Sequence, residues 1–166
     1  PEAAEEEHAL AQHHIEGHKV EDLAELEGER LDDQRIDQIG RRELVDASLY
    51  VLINAQGKWE SRVKAMVEAG VDLVQLRDKD RTDREIVSIG RKISELTRNS
   101  STAFIMNDRA DLAIAAGADG VHLGQDDIPI EEVKKILPSH MIIGVSTHSY
   151  KQAMEAEKEG PDYIAI

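Results

Sequence analysis

Residues 102–127 read TAFIMNDRADLAIAAGADGVHLGQDD. An apolar run, 102–108, ends in an amide and a carboxylate. An alanine-rich segment, 110–118, follows. A second apolar run, 119–124, leads into Gln125, Asp126 and Asp127. Short apolar runs bounded by glycine and polar residues read as strands, and the segment between them suits a short helix. The runs are nearly continuously apolar, as expected of parallel strands covered on both faces and joined by crossover helices.

The same unit repeats on either side. SLYVLINA (48–55) reads as a strand and KWESRVKAMVEAG (58–70) as a helix stopped by Gly70. VDLVQLRDK (71–79) is a strand, and Thr82 caps a helix running to Thr97. IEEVKKIL (130–137) is a helix, MIIGVS (141–146) a strand, SYKQAMEAEKEG (149–160) a helix ending at Gly160, and DYIAI (162–166) a strand. An open doubly wound sheet and a (β/α)8 barrel both fit this alternation. Polar residues at several consecutive strand ends, and the lack of GxGxxG after the first strand, favour the barrel. A complete barrel takes about 250 residues. The expected fold is therefore an α/β (β/α)8 TIM barrel, truncated after strand six.

Composition divides the chain after residue 46. Residues 1–46 hold 15 acidic and 5 basic side chains, and residues 47–166 hold 19 acidic and 15 basic. The first part has good helix formers and few large apolar residues, which predicts a helical or partly ordered N-terminal extension or linker. His14 and His18 stand at i, i+4 there, a spacing that could suit a metal, although solvated polar residues among many Glu are the favoured reading. The second part carries the strands and helices.

The formal charge of −14 argues against a nucleic-acid partner. With no cysteine, disulfides and thiolate metal sites are excluded and a reducing compartment is permitted. No apolar run approaches the roughly 20 residues needed to cross a bilayer as a helix, and no signal peptide is visible. The expected location is cytoplasmic, with no membrane partner. The sequence permits a homo-oligomer without specifying one.

Strand parity nominates a site. Gln75, Arg77 and Lys79 point one way, while Val74 and Leu76 point the other, suited to packing under helices. An amide and two cations would then climb the barrel axis to its mouth, where a polyanion could sit. Asn107 follows Ile105 onto the axis. Asp108 falls where strand gives way to helix, as an N-cap or as a ligand for a divalent cation. The next strand ends beside it with Asp127, so two carboxylates could meet over one Mg2+. Gly144 could leave room for a flat ligand ring, with Ser146 as a donor near it. No nucleophile elbow or Ser-His-Asp order is present.

QLRDKD (75–80), FIMNDRADLAIAAGADGVHLGQDD (104–127), IIGVSTHS (142–149) and EAEKEGPDYIAI (155–166) together resemble the thiamine-phosphate synthase family, also called thiamine-phosphate pyrophosphorylase. The resemblance covers roughly residues 48–166. It implies a TIM-barrel transferase of thiamine biosynthesis. Such an enzyme joins 4-amino-5-hydroxymethyl-2-methylpyrimidine diphosphate to a thiazole phosphate, giving thiamine phosphate and pyrophosphate.

By motif, Gln75 resembles a contact on the pyrimidine side. Arg77, Lys79 and Asn107 resemble diphosphate ligands, Asp108 and Asp127 the Mg2+ carboxylates, and Ser146 the hydroxyl beside the pyrimidine and the leaving group. The reaction needs no protein nucleophile. Early C–O cleavage leaves a pyrimidine-stabilised cation that the thiazole nitrogen captures. Two rivals stand beside it. One is a thiazole tautomerase of the same fold using His148 as acid/base. The other is an inactive fragment that acts only in binding or association.

Overall fold

The computed structural model describes Leu44 and residues 47–166. The expectations for residues 1–46, the histidine pair included, lie outside the described residues, Leu44 apart.

Six strands alternate with five helices among these residues: β1 (Tyr50–Ile53), α1 (Trp59–Glu68), β2 (Leu73–Leu76), α2 (Asp83–Thr97), β3 (Ala103–Asn107), α3 (Ala110–Ala116), β4 (Gly120–Leu123), α4 (Ile130–Ile136), β5 (Ile142–Ser146), α5 (Tyr150–Glu159) and β6 (Tyr163–Ala165). The strands form one sheet in the order β1-β2-β3-β4-β5-β6, every neighbouring pair parallel. This is a half-barrel with alternating helices. The expected helix signals operate locally. Thr82 and Glu85 exchange capping-box hydrogen bonds at the start of α2, and Gly160 ends α5 in the left-handed region.

Parity divides the strands between two cores. Val74, Leu76, Phe104, Met106, Val121, Leu123, Ile143 and Val145 face outward, packed with Val63 of α1, Ile86 and Ile93 of α2, and Val133 of α4. Full burial of each such side chain contributes about 1.5–3 kcal/mol. The opposite parity lines the barrel interior, where Leu73, Ala103, Ile105 and Ile142 pack with Tyr50 and Tyr163. Gly120 belongs to this face, and a Cβ there would stand 2.5 Å from the Ile142 carbonyl oxygen. Only glycine lets β4 and β5 approach so closely.

One device recurs at the N-terminal ends of the even strands. Gly70-Val71-Asp72, Gly117-Ala118-Asp119 and Gly160-Pro161-Asp162 each combine a left-handed glycine with an aspartate just before the strand. Each aspartate N–H donates to a carbonyl of the preceding strand or the residue just before it, at Leu49 (3.2 Å), Phe104 (2.8 Å) and Ile143 (2.7 Å). Each carboxylate then accepts the N–H of that same residue, at 2.8, 2.7 and 2.8 Å. The side chain thus supplies a ladder bond that the backbone cannot yet make. At Asp72, which also accepts from Ser48 N–H at 2.9 Å, these donors hold the carboxyl below its ordinary pKa.

Candidate active site at the barrel mouth

The site is assembled from the C-terminal ends of β2, β3, β4 and β5. Arg77 N–H donates to the Ile53 carbonyl at 2.8 Å, so β2's extended path carries past Leu76 and Arg77 keeps the parity of Gln75. Arg77 and Lys79 are exposed, whereas Gln75 is buried inside the barrel. Asp78, of opposite parity, accepts Ala55 N–H at 3.0 Å and lies 3.6 Å from Arg81. Its part is to tie together the loops that follow β1 and β2.

At the end of β3, Asp108 adopts φ +64°, a conformation that Asp and Asn tolerate better than other side chains. Its N–H donates to the His122 carbonyl at 2.8 Å. The N-cap alternative is corrected here. Arg109 occupies the N-cap position of α3, which has no side-chain capping bond. The left-handed residue turns the chain one step before the helix begins, so the Asp108 carboxylate is not used as a cap. Arg109 itself grips Asp83 at 3.1 Å through two nitrogens and Asp111 at 2.6 and 2.9 Å, joining the starts of α2 and α3.

The loop after β4 brings the second carboxylate. Asp127 Oδ2 accepts Gly124 N–H at 2.6 Å, and Gln125 donates to the Ser146 carbonyl at 2.7 Å, holding the loop against β5. Burial first, then the Asp127 charge, push the Asp108 carboxyl above the ordinary carboxylate range, while Lys79 and Arg77 pull it back. Arg77 and Lys79 follow β2, Asp108 follows β3 and Asp127 lies in the loop after β4, so the four groups stand at the same end of three neighbouring strands. Two such carboxylates are suited to a hard divalent cation that takes its other ligands from phosphate and water. Among the described residues no group of three or more His, Asp or Glu stands ready as a self-sufficient metal cage.

Asn107 pairs in register with His122, beside this cluster. Ser146, at the end of β5, lies 2.8 Å from His122 Nε2. His122 carried no assignment from sequence, although it shares the parity of Gly120 and Gly124 and so faces the axis. Burial and the Arg77 charge lower its pKa, against a smaller opposing effect from Asp127. His122 Nδ1 lies 2.9 Å from the Tyr163 hydroxyl, which reaches Tyr50 at 2.8 Å, and Gln75 Nε2 donates to Tyr50. The room expected above Gly144 is taken by Tyr163. The two residues pair in register, and a Cβ on Gly144 would stand 2.0 Å from the tyrosine ring. His148 is exposed in the loop after β5, its backbone N–H bound to Gln152 at 2.7 Å.

Comparison with known proteins agrees with this architecture. The family model for thiamine monophosphate synthase matches residues 49–166. Thiamine-phosphate synthase from Pelotomaculum thermopropionicum is 49% identical over 104 residues, covering 63% of this chain and 48% of that protein. The enzyme of the same name from Haloarcula marismortui is 42% identical over 127 residues, covering 74% and 60%. Among solved structures, thiamine phosphate pyrophosphorylase from Pyrococcus furiosus superposes with a TM-score of 0.65 at 40% identity, over 71% of this chain and 58% of that one. The chain spans about half the length of the curated relatives it matches. Matched by the family model over the whole run from β1 to β6, the chain belongs to the thiamine monophosphate synthase family.

Proposed function

We propose that this chain supplies the diphosphate and metal side of a thiamine-phosphate synthase. In that reaction the pyrimidine methylene is transferred from diphosphate to the nitrogen of a thiazole phosphate, releasing pyrophosphate and thiamine phosphate. The observation that carries the reading is the placement of Arg77 and Lys79 beyond β2, Asp108 beyond β3 and Asp127 beyond β4, at the same end of three neighbouring parallel strands. Family membership supports it, and the cytoplasm is the expected compartment.

Arg77 offers a planar fork to phosphate oxygens and Lys79 a mobile point charge. Together they hold the diphosphate and neutralise it as the C–O bond lengthens. Asn107 adds a neutral donor beside them, and Gln75 and Ser146 border the pyrimidine side. Asp108 and Asp127 would hold Mg2+, which when bound supplies Lewis-acid neutralisation of the departing oxygens. Two carboxylates at neighbouring strand ends form an oxygen site in which a cation would relieve their mutual repulsion.

A coupled assay of pyrophosphate release from the two substrates, with and without Mg2+, tests the proposal. Release that requires both substrates and Mg2+ is the expected result. Thermal stabilisation by Mg2+ plus pyrophosphate should accompany it. Neither release nor stabilisation would leave a binding or association role instead.

A further inference from the structure

Inside the barrel, five polar side chains from five strands form one continuous chain: Gln75, Tyr50, Tyr163, His122 and Ser146. Gln75 and His122 are buried, only 2% and 7% exposed, so the links these two make have little water to substitute for them. The Tyr163 and His122 rings stack with centroids 5.5 Å apart, and Tyr50 meets both edge-on. Gly144 makes the space for the Tyr163 ring.

Counting donors gives this chain a direction. The Gln75 amide N–H donates to the Tyr50 oxygen. The Tyr50 proton is then directed to Tyr163, its other hydrogen-bond partner among the described residues. Tyr163 accepts it and passes its own proton to His122 Nδ1. A neutral imidazole that accepts at Nδ1 carries its proton on Nε2. That N–H donates to Ser146 Oγ, which leaves the serine's own proton free for another acceptor.

We infer that this interior chain locks His122 as its Nε2–H tautomer and thereby presents Ser146 to the site as a hydrogen-bond donor. Tyr50, Tyr163 and His122 are positioning residues that act through Ser146. The inference rests on the proposed function only in naming the ligand, whose lone-pair atom, a diphosphate oxygen or pyrimidine nitrogen, would receive the Ser146 proton. Burial keeps both phenols protonated, as the direction requires. An imidazole that accepts at Nδ1 and donates at Nε2 carries one proton and no charge.

Two-bond proton–nitrogen spectra of the ring nitrogens test this directly. The His122 signals are assigned by their loss in His122→Gln. In the wild-type protein, Nε2 should be protonated and Nδ1 bare. Tyr163→Phe removes the donor to Nδ1, so the tautomers should become mixed. A protonated Nδ1 in the wild-type protein overturns the inference even if the variant fails to fold, as does an unchanged tautomer in a folded Tyr163→Phe.

In the synthase assay, Tyr163→Phe should lower kcat on the order of tenfold with little change in KM. In a Ser146→Ala background the same change should cost nothing further, and an additive loss would refute action through Ser146. Absence of pyrophosphate release in the wild-type protein would remove the synthase reading while leaving the spectra decisive for the hydrogen-bond chain.

Discussion

Asp119→Ala isolates one of the three strand-start clasps. Asp119 is 4% exposed, and its Oδ2 accepts the buried Phe104 N–H at 2.7 Å. A hydrogen bond to a charged acceptor contributes about 1.5–3 kcal/mol, and a buried N–H left without an acceptor costs about 1–3 kcal/mol. These ranges overlap as descriptions of one loss, so about 3 kcal/mol is the expected destabilisation. For a chain of this size each kcal/mol moves Tm by about 2–4 °C, giving a fall of roughly 10 °C. Asp119→Asn keeps an uncharged oxygen at the same place and should lose about 1 kcal/mol.

Thermal and urea unfolding of the two variants beside the wild-type protein measures both changes. Equal losses in the two variants, or a fall below about 3 °C for the alanine, would refute the clasp. Asp72 adds a pH signature. Its carboxyl is held below the unfolded value of about 3.9 by backbone donors, so its stabilisation is present above that value. It is lost as pH falls through the folded pKa. Asp72→Ala should flatten the acid limb of the stability curve.

Arg77→Ala should reduce turnover about a hundredfold with Tm nearly unchanged, because the side chain is exposed; wild-type kinetics would remove Arg77 from the site. Asp108→Asn should raise the Mg2+ concentration needed for half-maximal activity, checked by metal titration. The Asp108 carboxyl is raised in the folded state, so stability falls as pH rises from its unfolded pKa through the folded one. Without metal, Asp108→Asn should therefore be more stable than wild type at neutral pH and lose that advantage in acid, as read by Tm against pH. Asparagine tolerates the φ of +64° there, so backbone strain does not obscure the comparison. Gly144→Ala should destabilise by about 1–3 kcal/mol, measured by urea unfolding, since its Cβ would collide with the Tyr163 ring.

Much of the fold is local information. Apolar runs, the Thr82–Glu85 capping box and the glycine stops depend on residues a few positions apart, and periodicity reports them. Parity likewise sorted Gln75 from Val74 and Leu76, because successive side chains in a strand must face opposite ways. The candidate site's two cations and two strand-end carboxylates are nominated on the same grounds.

The remaining features depend on register between strands distant in sequence. His122 becomes a site neighbour because β4 sets it opposite Asn107 and Gly144. Tyr163 fills the space above Gly144 because β6 pairs there. Asp108 is released from helix capping by a left-handed turn whose N–H is held by the His122 carbonyl. The Gly-x-Asp clasp was present in the sequence three times, but its meaning lies in backbone groups 15 to 23 residues away. By itself the sequence determined which segments are strands and helices and which side chains share a face. Tertiary structure alone decided which of those side chains touch, since contact between strands depends on sheet register and curvature, and no local periodicity encodes either.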